Sequence, residues 1–87
     1  MNSNLRVLLV EDNPDHAALA KKAILNSKDR RYSVDICTSV EEAIETLTNG
    51  SEPIHLILSD YHLPGKTGIE LLEWLTSENI RIPFVMI

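Results

Sequence analysis

Four short apolar stretches, Leu5–Val10, Tyr32–Cys37, Ile54–Asp60 and Ile82–Ile87, alternate with three segments of helical period. This alternation restricts the chain more than any other feature. Strands separated by single helices predict a parallel sheet with crossover helices on both faces, in the order β-α-β-α-β-α-β. Leu5–Val10 is aliphatic almost throughout, as expected of a strand buried on both sides. Tyr32–Cys37 alternates instead, with Tyr32, Val34 and Ile36 against Ser33, Asp35 and Cys37, which predicts a strand with one wetter face near a sheet edge.

The helices carry start and stop signals. Asn13-Pro14 caps and opens the first, whose apolar stripe is read as Leu19, Ala20, Ala23 and Ile24. It fades into a polar connection ending in Lys28-Asp29-Arg30-Arg31, a basic cluster read as a solvated loop. Ser39-Val40-Glu41-Glu42 is a capping box, and Val40, Ala43, Ile44 and Leu47 make one face of the second helix, stopped by Asn49-Gly50. Thr67-Gly68-Ile69-Glu70 is a second capping box, followed by an inner face read as Ile69, Leu71, Leu72 and Leu75 and a stop at Asn79. Trp74 lies off that stripe.

The chain has 87 residues, a net charge of −5 and a single cysteine. That length predicts one domain, residues 1–87, with a thin core. Residues 1–34 carry six bases against four acids, and residues 35–87 nine acids against two bases. So acidic a half argues against direct nucleic-acid binding, which rests on neutralising phosphates. No apolar run reaches the ~20 residues of a membrane helix, and Met1-Asn2-Ser3-Asn4 opens no secretory signal. Cys37 has no internal partner and reads as a small apolar filler, so a cytoplasmic setting is expected. His16, His55 and His62 show no metal-ligand spacing.

In open parallel sheets, chemistry gathers at the carboxyl ends of strands. Glu11 and Asp12 follow the first strand, and Asp60 ends the third. With those two strands adjacent, three acids converge. An all-oxygen set of this kind suits a hard divalent ion such as Mg²⁺. The alternative for Glu11 and Asp12 is that they solvate a loop and support the start of the first helix.

These segments carry a resemblance. Leu8-Leu9-Val10-Glu11-Asp12-Asn13-Pro14, the stretch Leu56 to Gly65 with its Asp60-Tyr61-His62-Leu63-Pro64-Gly65, Gly68-Ile69-Glu70-Leu71-Leu72 and Ile82-Pro83-Phe84-Val85 resemble the receiver domain of two-component response regulators, the CheY-like family, from Leu5 to Ile87. The resemblance implies a flavodoxin-like, three-layer α/β/α fold with strand order 2-1-3-4. It implies a phosphoacceptor at Asp60, taking a phosphoryl group from a sensor histidine kinase or a phosphotransfer protein. Mg²⁺ would be held by Asp12 and Asp60, by Glu11 directly or through water, and by the backbone carbonyl of His62. Self-phosphorylation from a small donor is compatible with this, and no general base or second motif marks an enzyme.

The sequence also departs from the family pattern. Lys66-Thr67 stands where Met-Asp is usual, His55 replaces a common Asp, and Ser59 replaces an aliphatic; all three are read as lying off the proposed chemistry. Family members continue past the fourth strand into a Thr or Ser, a further helix, a fifth strand ending in a Lys, and a last helix. Set against that pattern, the 87 residues read as an incomplete receiver, with the fourth strand at an exposed edge. The expectation is a homodimer or domain-swapped oligomer through that edge. The alternative function is a phosphorylation-incompetent interaction module.

Overall fold

The computed structural model describes residues 4–28, 31–50 and 52–87. Asp29 and Arg30 of the basic cluster and Met1–Ser3 lie outside the described residues. The elements are β1 (Asn4–Val10), α1 (Pro14–Leu25), β2 (Arg31–Cys37), α2 (Val40–Asn49), β3 (Leu56–Ser59), α3 (Gly68–Ser77) and β4 (Phe84–Met86). All pairings are parallel and the sheet order is β2-β1-β3-β4. The expected architecture and strand order are both present.

Val7, Leu8, Leu9 and Val10 are all buried, because β1 lies between β2 and β3 with helices above and below. Leu8, Val10, Cys37 and Ile57 face α2 and α3 and form one cluster with Val40, Ala43, Leu71 and Leu75. Val7 and Leu9 face the other way, toward α1, whose only fully buried residue is Ala17.

Three details differ from the sequence reading. On α1 the half-buried residues are Ala20, Lys21 and Ile24, while Ala23 is exposed and Leu19 is 68% exposed. Leu19 lies about 200° around the helix from Ala17, so the stripe reads correctly at Ala20 and Ile24 but is rotated away from Ala17 toward Leu19 and Ala23. On α3, Ile69 and Leu72 are exposed and Trp74 packs against the core beside Leu71 and Leu75. On β2 the apolar alternate set is not the better buried one, since Ile36 is exposed while Cys37 is buried under α2.

The caps differ in a related way. At α3, Thr67 Oγ1 accepts the Glu70 N–H at 3.3 Å and Glu70 Oε1 accepts the Thr67 N–H at 3.2 Å, so the reciprocal box is complete. At α2 the Ser39 hydroxyl accepts the Glu42 N–H at 3.1 Å, but the Glu42 carboxylate reaches one residue further back, to the Thr38 N–H at 2.6 Å. The other end of α3 closes as a Schellman turn. Asn79, at φ 57°, donates to the Thr76 carbonyl at 3.1 Å and Ile80 donates to Leu75 at 2.9 Å.

The amino end of the sheet is tied by polar contacts. Arg6 of β1 pairs with Asp35 of β2 and with Glu52. The Arg6 N–H donates to His55 Nδ1 at 2.9 Å, and the His55 N–H donates to the Arg6 carbonyl at 2.9 Å. His55 is therefore a β1–β3 tether at the end of the sheet away from the acids.

Candidate metal and phosphoacceptor site

The register creates the site. Val10 of β1 lies opposite Ser59 of β3, so the next residues, Glu11 and Asp60, leave adjacent strands side by side. Two backbone bonds fix this end. The Asp60 N–H donates to the Val10 carbonyl at 3.0 Å, and the Glu11 N–H donates to the Cys37 carbonyl at 2.8 Å. Asn13 then turns the chain into α1, its Oδ1 accepting the N–H groups of Asp15 at 2.9 Å and His16 at 3.1 Å.

Glu11, Asp12 and Asp60 each bring one carboxylate oxygen to within 4.8 Å of the other two. Glu11 is buried, Asp60 half-buried and Asp12 exposed, so the cluster runs from the protein interior out to solvent. Glu11 Oε2 accepts the Asn13 N–H at 3.2 Å. Among the described residues, none of the three forms an ion pair with Lys, Arg or His. Three like charges at this spacing repel one another, and a cation between them reverses the sign of the interaction. Hard oxygen donors without thiolate or imidazole fit an ion of the Mg²⁺ or Mn²⁺ type.

His62, the remaining expected site residue, lies two positions beyond Asp60 with its side chain exposed. Its imidazole meets the Tyr61 ring edge-on, with centroids 4.7 Å apart and planes at 88°. The loop carrying it turns at Gly65, whose φ of 80° is a left-handed conformation that glycine adopts without strain. An open cleft between the carboxyl ends of α2 and α3, lined by Leu47, Pro53, Ile54, Ile80 and Ile82, is separate from the carboxylates. Its one carboxylate, Glu52, is already paired with Arg6.

Two residues beside Asp60 were not legible as part of the site. Ser59, read as lying off the chemistry, donates its hydroxyl to the Asp60 carbonyl at 3.0 Å. Gly68, read only as a helix-start residue, brings α3 so close that an added Cβ would lie 2.7 Å from that same carbonyl. A serine inside an aliphatic run and a glycine just inside a cap were the available signals.

Parallel order 2-1-3-4 with acids converging at the ends of the two central strands defines a receiver-type α/β domain. The Response regulator receiver domain matches residues 7–87 of this sequence. The chain belongs to the response regulator receiver family. It is 31% identical over 84 residues to the two-component response regulator ARR14 of Arabidopsis thaliana, an alignment covering 97% of this chain and 21% of that protein. Among solved structures, the phosphorylated cyanobacterial phytochrome response regulator RcpA superposes with a TM-score of 0.83 at 31% identity, covering 97% of this chain and 64% of that one. The Mn²⁺-bound form of response regulator Rcp1 superposes with a TM-score of 0.83 at 28% identity, covering 94% of this chain and 63% of that one. The chain thus spans about a fifth of the curated relative and under two thirds of these receiver structures. No helix among the described residues is long and apolar enough to cross a membrane.

Proposed function

We propose that the protein is a phosphoacceptor receiver, in which Asp60 takes a phosphoryl group from a histidine kinase or phosphotransfer protein with Mg²⁺ bound at Glu11, Asp12 and Asp60. One observation carries this reading: three carboxylates from two adjacent strand ends meet within 4.8 Å, and none of them pairs with a protein cation among the described residues. The resemblance to Rcp1 in its Mn²⁺-bound form and to RcpA in its phosphorylated form supports it. Such an ion, when bound, neutralises charge on the transferring phosphoryl oxygens.

The chain's own groups supply position. Asp12 and Asp60 would hold the ion directly, Glu11 would hold it directly or through water, and the His62 backbone carbonyl would complete the protein donors. A carboxylate oxygen of Asp60 attacks phosphorus, the P–N bond to the donor imidazole breaks, and that nitrogen keeps the electron pair and takes a proton. Because Asp60 is only half-buried, the donor reaches it from solvent. The reading makes the domain a cytoplasmic signalling module, not a metabolic enzyme, and it uses no nucleic-acid contact. A docking-only module leaves the converged carboxylates without a role.

The test is mass measurement after incubation with Mg²⁺ and acetyl phosphate. The wild-type chain gains one phosphoryl mass, and Asp60→Ala or omission of Mg²⁺ abolishes the gain. No Asp60-dependent gain in a folded sample removes the phosphoacceptor reading and leaves the docking module.

Self-association through β4 belongs to the same proposal. Pro83 and Ile87 bond toward β3, through Ile57 N–H to Pro83 O at 2.9 Å and Ile87 N–H to Ser59 O at 2.9 Å. The intervening alternation turns the amide groups of Phe84 and Met86 toward the side of β4 that no strand among the described residues pairs with. Beside that edge, Val85 is 45% and Ile87 60% exposed.

A further inference from the structure

Ser59 is fully buried on the sheet face that also holds Leu8, Val10 and Ile57. A hydroxyl in such a place is costly unless it is bonded. Its bond goes to the carbonyl of the very next residue, Asp60, at 3.0 Å. The Asp60 N–H is held by β1 through the Val10 carbonyl, also at 3.0 Å. Asp60 is therefore held by β1 at its N–H and by Ser59 at its C=O, and the Tyr61 N–H of the same following peptide donates to the Ile87 carbonyl at 3.3 Å, so the hydroxyl is one of two ties on that peptide.

The hydroxyl tie lies where the fold has little room. An added Cβ at Gly68 would stand 2.7 Å from the Asp60 carbonyl, 3.2 Å from Ser59 Oγ and 3.3 Å from Met86 Sδ. The first residue of α3 and the Ser59 hydroxyl thus both lie beside the carbonyl, and Met86 of β4 packs on the same Gly68 position. The plane of the peptide after Asp60 sets the direction in which the chain leaves for His62.

We infer that Ser59 is a positioning residue for the carboxylate site: its hydroxyl fixes the peptide after Asp60, so that the Asp60 carboxylate and the His62 carbonyl converge on one divalent cation. This rests on the reading of Glu11, Asp12 and Asp60 as a cation site. Ser59 touches neither ion nor phosphoryl group and acts through the backbone of Asp60.

The test is a Mn²⁺ titration of the whole chain, with free Mn²⁺ read by electron paramagnetic resonance, below the onset of thermal unfolding of every variant. Ser59→Ala weakens Mn²⁺ binding about tenfold, the scale of losing a group that orients a metal ligand. Ser59→Thr, which keeps the hydroxyl at the cost of an added buried methyl, binds Mn²⁺ more tightly than Ser59→Ala. Ile57→Val, which loosens the same face of β3 without touching a hydroxyl, leaves the affinity unchanged. Ser59→Ala binding as wild type does, or Ile57→Val weakening binding as much as Ser59→Ala, overturns the inference. If Ser59→Ala does not fold, Ser59→Cys replaces it: its weaker donor lowers affinity, and equality with wild type overturns the inference. Asp60→Ala separates the two levels. A wild-type chain that binds no Mn²⁺, or binds it as Asp60→Ala does, removes the cation site itself and the inference with it. Wild-type binding that depends on Asp60 but not on Ser59 removes the inference alone.

Discussion

The two faces of the sheet are covered unequally. On one face, α2 and α3 lie side by side, and Leu8, Val10, Ile57 and Ser59 beneath them have essentially no solvent contact. On the other, α1 alone packs on β1 and β2. Val7 and Leu9 are sealed beneath it, but Leu58 is only half-buried, and Val85 and Ile36 at the two flanks are exposed. A single helix is about 10 Å wide, and strands lie about 4.8 Å apart, so it shields two strands and leaves the others open. Among the described residues, the closed face holds most of the fully buried side chains, and the flank beyond α1 is the less covered surface.

The sharpest break between the faces is energetic. Leu8→Ala on the closed face is expected to cost about 3–5 kcal/mol, the transfer loss plus a cavity that packed neighbours cannot fill. Val85→Ala on the open face removes two exposed methyl groups and is expected to cost within about 0.5 kcal/mol. Urea unfolding of both variants at pH 7 measures the contrast. Equal costs mean that the open face is covered in solution, by self-association or by a partner.

A smaller effect tests that surface directly. Val85→Lys places a charge beside the unpaired amides of Phe84 and Met86, a change that blunts edge pairing. Sedimentation equilibrium is expected to show a concentration-dependent dimer for the wild-type chain, and about tenfold weaker association for Val85→Lys, equivalent to about 1.4 kcal/mol. A wild-type chain that stays monomeric at millimolar concentration excludes the edge as a self-association site.

The same asymmetry explains what could be read from the sequence. Element order and the buried character of β1 were legible from periodicity and cap residues, and the rule for parallel sheets put Glu11, Asp12 and Asp60 at strand ends; that β1 and β3 are neighbours, which brings the three together, was implied by the family resemblance. Side-chain facing was less legible. Leu19 and Leu72 are leucines at near-helical spacing, yet they are exposed because α1 and α3 each pack by a narrow strip, and spacing does not say where a strip is centred. Trp74, off the stripe read from spacing, is the half-buried residue of α3 that packs against the core cluster. The partner of Ser59 was illegible for a different reason. The serine in an aliphatic run and the glycine just inside a cap are visible as residues, but which group the buried hydroxyl bonds, and that Gly68 lies beside the Asp60 carbonyl, are set by tertiary packing.

The smallest expected effect separates the faces by acidity. Cys37 belongs to the closed face, and its neighbour Ile36 to the open one. Burial pushes the Cys37 thiol above its ordinary value; the contact with Thr46 Oγ1 at 3.5 Å opposes this, and the charges of Glu42 and Asp35 add to it. The folded chain therefore keeps its thiol proton at a pH where the unfolded chain, titrating near ~8.5, has lost it. More protons bound in the folded state means that stability falls as pH rises. This contribution is complete below the unfolded value and is lost on the alkaline side. Between pH 7.5 and pH 10 the urea midpoint should fall further for wild type than for Cys37→Ala. An identical fall in both places the thiol in contact with water, and the α2 side of β2 would then be as open as the α1 side.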